Sequence, residues 1–288
     1  MAREVTAAIT YRWDSYDANL LAAASRSEKQ IEVGFKLANK GALYAARSEF
    51  RKAILAIAEA LDARYGSTGH SQAFHDALQA MKEAADFASN KTGGPGRVER
   101  IVASHQTPIL RQLPVKGMPA LIAMQRYYSF AQQRLVESSG RAPVASNAMY
   151  AMGKLYMALG DAENHDDQEA AKATTFLQAA LTVNRSNFAA ANELGVMLAR
   201  LGHLREAREV LRHSAKARLT QETWKNLETV HHRLGESQLA QQARWEWQRQ
   251  ISSAPPAIAG STGTVQWVSP QAFAGSPAGG SHKPSRRR

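Results

Sequence analysis

The chain has 288 residues, with 36 Lys or Arg against 25 Asp or Glu, a net charge of +11 and no cysteine. Its length and 44% hydrophobic content allow one large domain or two small ones with a real core, while the missing cysteine excludes disulfides, thiolate zinc sites and cysteine nucleophiles. No stretch nears the roughly 18 uninterrupted apolar residues of a membrane span, and the apolar run at 5–9 is too short for a secretory leader, so a cytoplasmic protein is expected. The positive charge is spread unevenly: +6 over residues 1–145, +1 over 146–250 and +4 over 251–288. None of these segments carries the dense basic stripe of a dedicated DNA binder.

In chain order, residues 1–26 read as a partly helical N-terminal extension. Residues 27–90 form an N-terminal helical region. Within it, Val33-Gly34, Leu37, Gly41, Ala46, Phe50 and Ala53 outline one helical hairpin over 27–60. A second amphipathic run over 71–89 places Phe74, Leu78, Met81 and Ala85 at three- and four-residue spacing. The Thr-Gly-Gly-Pro-Gly stretch ending at Gly96 opens an irregular linker over 91–118, which Pro108 and Pro114 keep broken until Pro119 starts another helix. That helix carries Leu121, Met124, Tyr128, Ala131 and Leu135 on one face. The two runs read as divergent helices bridging the early hairpin to the later ones; two small helical domains joined at 90–96 are the competing arrangement. No sustained period-two alternation occurs, so the chain reads as all-α.

Residues 146–250 write a hairpin three times, over 146–187, 188–220 and 221–250. The first copy has Met149, Met152-Gly153, Tyr156, Gly160, Ala173, Leu177 and Ala180, with an eight-residue insertion at 161–168. The second has Ala191, Leu194-Gly195, Leu198, Gly202, Ala207, Leu211 and Ser214; the third has Trp224, Leu227, His231, Gly235 and Ala240. Gly195 opposite Ala207 predicts two helices in close contact, and Gly202 predicts a left-handed stop between them. In the third copy Glu228 stands where the close-contact glycine is expected, which predicts a slightly splayed hairpin.

A fixed period near 33 residues marks stacked repeats. The pattern resembles the tetratricopeptide repeat family, although the proline that closes each family repeat is replaced near Arg185 and Leu219. The resemblance implies an α-solenoid of stacked antiparallel hairpins in a right-handed superhelix. It also implies that the first helix of each repeat lines a concave groove where peptides dock. At those positions the first repeat offers Tyr150, Lys154 and Met157, the second Asn192, Val196 and Arg200, and the third Lys225, Thr229 and Arg233. Four of the nine are cationic and none is acidic, which points to a partner peptide bearing carboxylates. The offsets of the family's two-carboxylate clamp hold Tyr150, Lys154, Glu193, Glu222 and Asn226 here, so that specialised role does not follow.

No phosphate loop, His-Glu-x-x-His pair or dinucleotide fingerprint is present in the sequence. The adjacent His231 and His232 face different directions on a helix and cannot share an ion, and the acidic insertion around His165 reads as a solvated loop. A non-enzymatic, cofactor-free protein-binding scaffold is therefore expected. Two alternatives remain: a nucleic-acid-associated repeat using the basic N-terminal region and Arg286–Arg288, and an enzyme with a site between the N-terminal helices and the repeats. Residues 251–288, rich in Pro, Gly, Ser and Ala, read as a disordered basic tail. Within it, Trp267 and Phe273 form an apolar island expected to dock on the open end of the last helix or on another molecule.

Overall fold

The computed structural model describes residues 17–88, 96–111, 113–162, 167–218 and 220–253, with side chains through residue 249. Among them are eleven helices and no strand: α1 (Ala18–Asn39), α2 (Leu43–Tyr65), α3 (Gly69–Ala88), α4 (Arg97–Ser104), α5 (Ala120–Ser139), α6 (Pro143–Ala162), α7 (Asp167–Val183), α8 (Phe188–Arg200), α9 (Leu204–Ala217), α10 (Gln221–Arg233) and α11 (Ser237–Ser253). The tail, including Trp267 and Phe273, lies outside the described residues.

The helix boundaries follow from local chemistry. Asp17, Asn187 and Thr220 each turn a side-chain oxygen onto free backbone N–H groups at the start of α1, α8 and α10. Gly202, at φ +85°, stops the helix before it, as its position in the repeat predicts. Gly160 behaves differently from its expected role as a turn residue: α6 runs through it to Ala162, so the insertion begins within a helix. The stretch read as an irregular linker holds α4, and Pro119 sits at the N-cap of α5, just outside the helix.

Five hairpins form: α1 with α2, α3 with α5, α6 with α7, α8 with α9, and α10 with α11. Four of them stack as an α-solenoid. The first helices α1, α6, α8 and α10 touch in that order, and α2, α7 and α9 each pack on the first helix of the following hairpin. The early copy thus lies directly against α6, although some eighty residues separate α2 from it in sequence. The α3–α5 hairpin does not stand between them in series; it packs alongside, against α2 on one edge and α7 on the other. One buried cluster runs from Ala38 through Phe74, Tyr127 and Met152 to Met197, so the helices before and after residues 90–96 share a core.

Close approach within the hairpins uses the repeated small residues. A Cβ at Gly195 would fall 2.5 Å from Leu211 and one at Gly153 2.6 Å from Leu177, while one at Gly34 would enter the Phe50 ring. A buried hydroxyl closes each of the same three hairpins. Ser27 donates to the Ala53 carbonyl, Ser146 to that of Ala180 and Ser214 to that of Phe188, each at 2.8 Å. In the α8–α9 hairpin the serine and the carbonyl have exchanged helices.

Candidate functional site

The first-helix face is assembled by contacts that step from one hairpin to the next. Phe35 on α1 meets Tyr150 on α6, with ring centroids 6.5 Å apart. Lys154 on α6 reaches Glu193 on α8 at 3.0 Å. Asn226 on α10 donates its amide to Asn192 on α8 at 3.0 Å, and Arg233 donates to the Ala199 carbonyl at 2.7 Å. The nine residues singled out from the sequence therefore belong to one row of neighbouring helices.

Their exposure and charge state are uneven. Met157 is buried. Tyr150 is half-buried, and burial, with the Glu193 carboxylate adding to it, pushes its hydroxyl well above the usual phenol range. Lys154 is half-buried against Glu193, and the exposed Arg200 is held at 3.0 Å by Asp161. The face is thus not free of acids: two of its four cations are balanced by Glu193 and Asp161, neighbours that the chosen repeat offsets skip. Asn192 and Val196 are half-buried, while Lys225, Thr229 and Arg233 are exposed at the α10 end. Lys225 makes no ion pair among the described residues. A pocket of about 200 Å³ opens between Met157, Asp161, Met197 and Arg200.

Two features near this face are structural. His231 is buried and shares a 2.5 Å bond with Glu236, which Arg208 also holds. The His231 bond, together with Arg208, keeps the Glu236 carboxyl below its ordinary range. At the position of Glu228, where the third copy lacks glycine, Arg244 pairs with that carboxylate at 2.6 Å. Residue 244 occupies the register of Leu177 and Leu211, so an ion pair spans a site that the other hairpins fill with glycine and a large apolar side chain.

A second concavity was not read from the sequence. Between α2, α3 and α5 lies a cleft of about 600 Å³, and a smaller one of about 280 Å³ adjoins it through the shared residues Arg51, His75 and Leu78. Arg47, Arg51 and Leu55 recur at four-residue spacing on α2, and this would have signalled a basic edge had α3 been placed beside it.

No protein-family model matches the chain. A human protein, tetratricopeptide repeat protein 7A, is 27% identical over 179 residues, covering 58% of this chain and 19% of that protein. The likeness is to a tetratricopeptide repeat protein. The chain spans about a fifth of that relative's length. Sequence likeness and architecture agree on a tetratricopeptide-like α-solenoid. No helix among the described residues is long and apolar enough to cross a membrane.

Proposed function

We propose that this chain is a non-enzymatic scaffold that binds an extended, carboxylate-bearing segment of a protein partner along the first-helix face. The observation that carries the reading is the continuity of that face. Four first helices are linked edge to edge by Phe35–Tyr150, Lys154–Glu193 and Asn192–Asn226, and a long segment needs such a continuous row. Its character changes along its length, from aromatic at α1 and α6 to exposed and cationic at α10. An apolar side chain of the partner suits the first end and a carboxylate suits Lys225 and Arg233 at the other. At Lys154 and Arg200 a partner carboxylate has to displace Glu193 or Asp161, so these two contribute less than their charge suggests.

The test is binding of a fluorescently labelled acidic peptide to the wild type and to Lys225→Ala/Arg233→Ala. The double variant is expected to bind about tenfold more weakly, about 1.4 kcal/mol. Equal affinity would remove the cationic end of the face from the proposal.

A further inference from the structure

We infer that the cleft between α2, α3 and α5 is a second docking site, separate from the first-helix face, for a short acidic peptide segment carrying an apolar side chain. The α3–α5 hairpin has no counterpart in the other repeats, and its packing beside α2 creates the cleft. Arg51 stands on the α2 wall and Lys82 on the α3 wall, both exposed, and neither has a carboxylate partner among the described residues. The adjoining part adds Arg47, which lies over the Tyr44 ring at 5.0 Å, and Lys52, which pairs with Glu49. The one carboxylate lining the cleft among the described residues, Asp76, is taken by Arg134 at 2.7 Å and by the Gln72 amide at 2.8 Å. The charge balance of the walls is therefore unmet, and it is positive.

The lining decides between kinds of anion. The same lining holds Leu78 and Phe130, both half-buried, with Leu55 in the adjoining part. Gln72, Gln79 and Gln106 also border the cleft, side chains of the kind that hydrogen-bond a peptide backbone. Two cations and apolar side chains sharing one cleft suit a peptide with carboxylates and one large apolar side chain. A nucleic-acid strand would instead ask for a run of cations along a phosphate track. The guanidinium of Arg51 can take a carboxylate through two parallel bonds, and Lys82 can take a second as a point charge.

Hydrogen–deuterium exchange on the intact chain, with and without a Glu-rich peptide containing one Phe, reads this site separately from the first-helix face. The inference predicts slowed exchange in α2 and α3 on peptide addition. It predicts loss of that protection in Arg51→Glu/Lys82→Glu, with affinity at the site falling about tenfold or more. Arg51→Gln/Lys82→Gln is expected to give a smaller loss, and Lys225→Ala/Arg233→Ala to keep α2–α3 protection intact. Absent α2–α3 protection in the wild type, or protection unchanged by Arg51→Glu/Lys82→Glu, overturns the inference. So does α2–α3 protection by a single-stranded oligonucleotide but not by the peptide. Failure of the first-helix reading appears instead in α6, α8 and α10.

Discussion

Gly195 shows how much of this fold is decided by single atoms. A Cβ there would sit 2.5 Å from the Leu211 side chain, which is fully buried and has to shift to make room, while the Ala207 carbonyl oxygen at 3.4 Å stays in ordinary contact. Gly195→Val is accordingly expected to cost about 1–3 kcal/mol through overpacking, read as a lower denaturation midpoint with unchanged slope. A loss under about 0.5 kcal/mol would show that the close approach carries little weight. This contact was legible in the sequence because glycine, alanine and leucine recur at fixed offsets, and packing between adjacent helices depends on side-chain size at each offset. The ion pairs were not legible. Lys154–Glu193 and Arg200–Asp161 join flexible side chains from different hairpins, and their register depends on how the hairpins stack. The hydroxyl that closes each of three hairpins leaves only a faint trace, Ser27 and Ser146 both seven residues before a close-contact glycine, and Ser214 breaks even that by lying on the opposite helix.

At the scale of elements, the α3–α5 insertion is held by buried polar groups as well as by its apolar faces. Asp62 on α2 accepts the His70 and Ser71 N–H groups at 2.8 Å each and so caps α3 from outside that helix. Glu83 on α3 accepts the Gln106 N–H at 2.6 Å and the Thr107 hydroxyl, pinning the segment that follows α4. Burial by itself would raise the Glu83 carboxyl, but the Thr107, Gln79 and Gln106 hydrogen bonds, with His105 at 3.9 Å, hold it below its ordinary 4.5. Beside it, burial pushes the Tyr127 hydroxyl up to about 12, and this phenol shares a 2.7 Å hydrogen bond with His105. A depressed carboxyl stabilises the fold above its unfolded value and loses that contribution as pH falls through the folded value. Glu83→Gln is therefore expected to cost about 1–3 kcal/mol at neutral pH and to flatten the loss of stability below about pH 4.5, followed by thermal melts across pH. Parallel acid limbs for variant and wild type would count against this role. The amphipathic runs of α3 and α5 were readable from their spacing, whereas α4 and the ordered segment after it were not. Glycine and proline mark where a helix cannot continue, and they are silent about a distant carboxylate that fixes the chain between them.

For the whole molecule, the repeats could be recognised from their period, but their adjacency could not. The hairpin at 27–60 shares its offsets with those after 146, and an offset says how two helices of one hairpin meet without saying which hairpin comes next. What brings α1 and α2 onto α6 is the insertion leaving the row sideways, so that the solenoid resumes where it stopped. The first-helix face gains its aromatic end from this arrangement, because Phe35 supplies the partner of Tyr150. Without it the face would begin at α6 and offer a shorter, more polar surface. The lack of cysteine makes the point directly measurable, since two introduced thiols have no competitors. The most direct measurement is cross-linking of Phe35→Cys/Tyr150→Cys with a short bifunctional thiol reagent, with each single variant as control. Direct stacking predicts rapid intramolecular cross-linking of the folded double variant, lost on denaturation; a folded double variant that stays uncross-linked would contradict a continuous face from α1 to α10.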